Sequence, residues 1–87
     1  MGGGRIRKIV QKFLARPPEV SFEDVRLLLE AFDFTDKCHG SSHHVFRHAD
    51  GRLISVPTVN GRRVKGFYVK EIVNLLKLEE WDANQDD

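Results

Sequence analysis

The sequence contains a single cysteine, Cys38, and no long apolar run. One cysteine excludes an internal disulfide and agrees with a reducing compartment. No stretch approaches the roughly 18 to 20 consecutive apolar residues that a membrane-spanning helix needs, and no charged-then-apolar signal peptide opens the chain. These absences predict a cytoplasmic protein.

The short length and the lack of internal repeats limit the number of domains. At 87 residues and 40% hydrophobic content, the chain can bury one modest core. A large enzyme with a deep pocket is therefore excluded, whereas a hydrolase whose substrate lies across its surface is not. We expect a domain over 19–81, preceded over 1–18 by a flexible leader (Met1 to Gly4) and an extra helix, and followed over 82–87 by an acidic disordered tail.

The net charge of +1 conceals an uneven distribution along the chain. Residues 1–36 sum to zero, residues 37–70 carry +6 before any histidine is protonated, and residues 71–87 carry −5. A basic middle that contains every histidine suits a polyanion such as RNA or DNA, because neutralised phosphates release their counterions. The competing interpretation is a basic face that is only solvated.

The spacing of apolar residues predicts three amphipathic helices. The first begins at Arg5 and ends before Pro17, the second follows the N-cap candidate Ser21 with Asp24 three residues later, and the third begins near Gly66. The predicted inward stripes are Ile6, Ile9, Val10, Phe13 and Leu14 in the first, Val25, Leu28, Leu29 and Phe32 in the second, and Val69, Ile72, Val73 and Leu76 in the third.

A hairpin is predicted around Asp50-Gly51, because a two-residue type I′ turn favours this dipeptide. Such a turn pairs Ala49 with Arg52 and Phe46 with Ser55, and side chains alternate between the two faces. One face then carries His43, Val45, Arg47, Ile54 and Val56, and the other carries His44, Phe46, His48, Leu53, Ser55 and Pro57. The adjacent histidines His43 and His44 are expected to point in opposite directions.

Together with a first strand over 34–37, these elements give the order helix, helix, three strands, helix. Without the first helix the order is α-β-β-β-α, which is that of a double-stranded-RNA-binding domain. We therefore expect an α+β fold in which a three-stranded antiparallel sheet carries the helices on one face. Fold-level analogy of this kind does not establish function.

Several motifs also resemble one protein family. They are Ser42-His43-His44-Val45-Phe46-Arg47-His48, Asp50-Gly51-Arg52, Val56-Pro57 and Lys65-Gly66-Phe67-Tyr68-Val69-Lys70-Glu71-Ile72. Over roughly residues 21–78 the chain resembles the HicA (YcfA-like) toxins of bacterial type II toxin–antitoxin systems. The resemblance implies a double-stranded-RNA-binding-domain-like fold, cleavage of mRNA without a metal or other cofactor, and inhibition by a HicB-like antitoxin.

The resemblance also points to a catalytic histidine. The family's Gly-Ser-His or Gly-Gly-His step carries its histidine over to His43, while members with the histidine one place later would match His44. Here Gly40-Ser41-Ser42 is one residue longer than the usual step, so both assignments remain open.

The chemistry of RNA cleavage agrees with a histidine site. Attack by a 2′-hydroxyl needs a base, an acid or a cation near the leaving oxygen, and positive charge on the phosphate. Histidine, whose ordinary pKa is about 6.5, can serve as either acid or base. The phosphate-binding candidates are Ser42, Arg47, Arg62, Arg63, Lys65 and Lys70.

Two other classes of function use the same residues. A non-catalytic RNA-binding module would grip phosphates with the same basic surface. A metal site could draw on Cys38, His39, His43, His44 and His48, but the sequence has no CxxC pair and adjacent strand histidines diverge.

Overall fold

The computed structural model describes residues 2–37 and 43–83, with side chains over 4–37 and 44–82. Its elements are α1 (Gly2–Leu14), β1 (Glu19–Ser21), α2 (Phe22–Ala31), β2 (Phe34–Asp36), β3 (His43–His48), β4 (Leu53–Pro57), β5 (Arg63–Lys65), α3 (Gly66–Leu76) and α4 (Leu78–Ala83). Strands β2, β3 and β4 form an antiparallel sheet in that order, and β1 pairs with β5 separately. The α+β class and the three-stranded antiparallel sheet are therefore confirmed.

The three-stranded sheet has one buried face and one exposed face. The buried face contributes Phe34, Phe46, Ile54 and Val56 to a single core, which they share with the apolar stripes of the helices. Thr35, Arg47, Leu53 and Ser55 lie exposed on the other face. Since the helices cover only one side, the opposite side of the sheet remains accessible to solvent.

Helix α1 belongs to this core. Ile9, Val10 and Phe13 are buried, and the helix packs against α2, α3 and α4. Helix α1 begins at Gly2, within the segment for which the sequence predicts a flexible leader, and Met1 lies outside the described residues. The predicted leader-plus-helix segment 1–18 therefore contributes to the same hydrophobic core as residues 19–81.

The hairpin forms with a longer loop than expected, and its register is shifted by one residue. The His48 N–H donates to the Arg52 carbonyl at 2.9 Å, which leaves a three-residue loop with Gly51 at φ +99°. Glycine adopts this left-handed conformation without strain, as in the bulged three-residue hairpin loops. The Arg52 N–H also donates to Asp50 at 2.9 Å, and this hydrogen bond lowers the pKa of the Asp50 carboxyl below its ordinary value.

The corrected register changes which side chains share a face. Phe46 lies opposite Ile54 rather than Ser55, and His44 lies opposite Val56 rather than Pro57. A one-residue slip exchanges the faces of a strand, so the burial of apolar side chains selects the register. The observed pairing puts Phe46, Ile54 and Val56 on the buried face together, which the two-residue turn would not have allowed.

The short sheet β1–β5 holds the basic run in place. Val20 pairs with Val64, both are buried, and the Gly66 N–H donates to the Pro18 carbonyl at 2.7 Å. A Cβ at position 66 would lie 2.9 Å from the Pro17 carbonyl oxygen, so glycine permits this close approach. The segment that ends in Lys65 is thus a strand fixed against β1, and sequence patterning did not reveal it.

The last described residues form helix, including residues 82 and 83 at the start of the predicted tail. Helix α3 ends at Leu76, its C-cap residue Lys77 adopts the left-handed conformation, and α4 continues through Ala83. Asp82, the first residue of the segment for which the sequence predicts an acidic disordered tail, accepts a hydrogen bond from Gln11 of α1. Residues 84–87 lie outside the described residues.

Within the described ranges, no helix combines the length and apolar character that crossing a bilayer requires.

Candidate functional site

The motif histidine His43 is the first residue of β3, and its ladder partner is Pro57 at the end of β4. The preceding turn, Gly40-Ser41-Ser42, lies outside the described residues, and the predicted role of Ser42 lies there with it. The ladder nevertheless fixes the backbone of His43 at one end of the hairpin, the end away from the Asp50-Gly51 loop.

A shallow cleft lies beside that end of the sheet. Pro57, at the end of β4, and the following residues Thr58 and Val59 line one part of it, and Lys65 at the end of β5 and Tyr68 in α3 line the other. Its volume is about 210 Å³. Because Pro57 pairs with His43, the cleft brings Lys65 into the neighbourhood of the motif histidine, and β5, which ends at Lys65, is held in place by its pairing with β1.

The basic candidates near this end differ in how much charge they leave available. Arg63 is engaged by Glu19 at 2.9 Å, which partly neutralises it. Arg62, Lys65 and Lys70 are exposed and form no ion pair with any side chain that the structure describes. These three are therefore the cations most available to a phosphate.

Arg47 lies at the opposite end of the same strand. It is four residues from His43, which at roughly 3.3 Å per residue is about 13 Å along the strand. With Asp33, Thr35, Lys37, His48 and Ala49 it lines a separate open cleft of about 370 Å³. The structure thus separates Arg47 from the other phosphate-binding candidates.

His44 is held on the buried face of the sheet. Its Nδ1 lies 2.9 Å from Oδ2 of Asp36, and its ring stacks on Phe22 at 4.2 Å between centroids, tilted by 30°. The two side chains of the pair are only 16% and 12% exposed. A carboxylate on Nδ1 fixes the orientation of an imidazole, so the His44 ring is positioned within the fold.

Asp36 was not among the residues singled out from the sequence. It lies opposite Phe46 in the β2–β3 ladder, which makes His44 its diagonal neighbour two residues along β3. Such a contact becomes visible only once the register of both strands is known. A carboxylate eight residues before a histidine carries no local signal.

Comparison with known proteins does not assign the chain to a family, so the site is judged on its geometry. No protein-family model, no curated protein and no solved structure matches the chain. The HicA resemblance consequently rests on the quoted motifs, and function is argued from the residues that the fold brings together.

His48 contacts the hairpin loop and a neighbouring strand. The Asp50 N–H donates to Nδ1 of His48 at 3.0 Å, and the His48 ring meets Phe34 edge-on at 5.1 Å. His48 therefore stabilises the hairpin turn. Cys38 and His39 lie outside the described residues, and no three His, Cys, Asp or Glu side chains among those described are grouped as metal ligands would be.

We expect His44→Ala to reduce the free energy of unfolding by about 1 to 3 kcal/mol, because it removes one hydrogen-bond partner of a mostly buried carboxylate together with the ring contact to Phe22. Urea unfolding followed by circular dichroism measures the change. Ser55→Ala is the matched control on the exposed face, with an expected effect within about 0.5 kcal/mol. Unchanged stability of His44→Ala, with loss of RNA cleavage, would contradict a structural role and assign the catalysis to His44.

Proposed function

We propose that this protein is a metal-independent endoribonuclease that cleaves mRNA, the toxin of a type II toxin–antitoxin pair of the HicA kind. One observation carries the proposal: Pro57, the ladder partner of His43, shares a cleft with Lys65. The position of His43 and a lysine that forms no ion pair with the side chains described therefore lie near the same end of the three-stranded sheet. We further propose that the sheet and its helices correspond to a double-stranded-RNA-binding-domain-like arrangement.

The reaction that such a site supports is an internal transesterification. The His43 imidazole takes the proton of a ribose 2′-hydroxyl, the 2′-oxygen attacks the adjacent phosphorus, and the bond to the 5′-oxygen of the next nucleotide breaks as that oxygen takes a proton from solvent water. Lys65 supplies positive charge close to the phosphate, where negative charge accumulates in the transition state. Histidine suits this work since its ordinary pKa lies near cellular pH.

The basic residues beside the cleft also indicate what kind of protein would inhibit it. We propose that a HicB-like antitoxin inhibits the protein by covering the cleft and presenting carboxylates to Arg62 and Lys65. Complementary charges of this kind accelerate association and orient the partner. Arg63, already engaged by Glu19, would contribute less to that contact.

Salt dependence tests the phosphate contacts. We expect the affinity for single-stranded RNA to fall with salt concentration, with a slope of log K against log salt of about −0.7 for each phosphate neutralised. Lys65→Gln and Arg62→Gln should each make the slope less negative by about 0.7. Lys8→Gln, which removes an exposed cation from α1, is the matched control and should leave the slope unchanged.

A flat salt dependence of the wild type would overturn the phosphate contacts. Cleavage assayed in the presence of a chelator then separates the two RNA-based functions. Steep salt dependence without any cleavage would favour the non-catalytic RNA-binding module over the endoribonuclease.

A further inference from the structure

Phe67 is the most exposed large apolar side chain among the residues described. It is 64% exposed in the first turn of α3, and the one other exposed large hydrophobic residue in the described ranges is Leu53, at 58%. The Tyr68 ring meets it edge-on, with centroids 5.0 Å apart and an interplanar angle of 88°. Phe67 therefore presents much of its ring to solvent while a half-buried neighbour contacts it.

The charges around Phe67 are mainly positive. Lys70 lies three residues further along α3, so it shares a helix face with Phe67, and Lys65 precedes the helix directly. Both lysines are exposed. Glu71, four residues after Phe67, is the acidic neighbour on that part of the helix. An exposed aromatic ring that is flanked along the chain by two exposed lysines is the combination that binds single-stranded nucleic acid, with a base on the ring and phosphates on the cations.

We propose that Phe67 is a stacking platform for one unpaired base of single-stranded RNA, with the flanking phosphates on Lys65 and Lys70. The inference rests on the proposed ribonuclease function and deepens it by specifying that the substrate is unpaired at this position. Bases within a duplex are already stacked on each other and offer the ring no free face. A protein partner is the less favoured occupant, since lysine is depleted in the cores of protein interfaces.

The platform lies close to the proposed reaction centre. Tyr68, which contacts Phe67, lines the same cleft as Pro57, and Pro57 pairs with His43. The base on Phe67 thus belongs to a nucleotide near the scissile phosphate. Stacking there would help to place that phosphate beside the histidine.

The test compares Phe67→Leu with wild type in binding to a short single-stranded RNA and to its duplex at one fixed salt concentration. Leucine keeps an apolar side chain but removes the ring, so the single-strand affinity should fall roughly 5- to 100-fold. The duplex affinity should change by less than about two-fold, because no base is free to stack. Phe67→Trp should restore single-strand binding, and Leu53→Ala, which removes the other exposed apolar side chain, should leave it unchanged.

A double-mutant cycle identifies the stacked base. Replacing one nucleotide at a time by an abasic residue should weaken wild-type binding at one position, and that same replacement should have no further effect on Phe67→Leu. Glu71→Gln should strengthen binding, because it removes the negative charge beside the phosphate path.

The outcomes distinguish this inference from the proposed function. Wild-type protein that neither binds nor cleaves RNA would overturn both. Unchanged single-strand affinity in Phe67→Leu, alongside wild-type cleavage and salt dependence, would overturn only the platform and leave the exposed ring as a contact for a protein partner.

Discussion

His43→Ala is expected to lower the rate of RNA cleavage by roughly 10² to 10⁴-fold, the usual loss when a general acid or base is removed. RNA affinity should stay near that of the wild type, because the phosphate contacts come from Arg62, Lys65 and Lys70. The fold should also persist, since the β3–β4 ladder pairs through backbone groups at this position. Growth arrest on expression should disappear together with cleavage.

The measurement is single-turnover cleavage of an mRNA in the presence of chelator, with circular dichroism and an RNA-binding assay on the same preparations. His44→Ala is the comparison, and any loss of activity in it should follow its loss of folded protein. Full cleavage by His43→Ala would contradict the assignment. Cleavage lost only in folded His44→Ala would transfer the role to the histidine that Asp36 orients.

Phe13→Ala should reduce the free energy of unfolding by about 3 to 5 kcal/mol, since truncating a fully buried phenylalanine leaves a cavity. Domains of this kind are stable by only about 5 to 15 kcal/mol, so much of the stability would be lost. The expectation follows from the position of α1, whose buried residues pack into the same core as α2, α3 and α4.

Urea unfolding monitored by tryptophan fluorescence and circular dichroism tests this effect. Phe67→Ala is the matched control, because the same truncation at an exposed position should change stability by no more than about 0.5 kcal/mol. If Phe13→Ala also changed the free energy of unfolding by no more than about 0.5 kcal/mol, the stability of the core would not depend on α1.

The helices could be predicted because their signals are local. The stripe Val25, Leu28 and Leu29 is buried as its spacing indicates, and the hydroxyl of Ser21 accepts a hydrogen bond from the Asp24 N–H at 3.2 Å, as expected of an N-cap. The stripe of α3 is buried as well, and this helix begins at Gly66 as expected. The period of apolar residues along a helix shows which face is buried before any partner is known.

The sheet was predictable only in outline. The strand positions and the antiparallel hairpin agree with the sequence, but Asp50-Gly51 is compatible with both two-residue and three-residue loops. Packing against the core chose the longer loop, because it places Phe46 and Ile54 on the same buried face. The pairing of β1 with β5 joins segments more than forty residues apart, and three-residue strands carry too little pattern to reveal it.

The composition and motifs by themselves determined that the chain is a small α+β domain with a basic, histidine-bearing middle, since those features depend on residue type and short spacing. Tertiary structure alone decided which of these residues meet. In the folded protein His44 contacts Asp36, and Arg47 lines a different cleft from Lys65. Lys65 lines the same cleft as Pro57, the ladder partner of His43. Each of these contacts joins different elements of the fold. Burial of the common core selects how those elements are placed relative to one another, and no local sequence pattern encodes that placement.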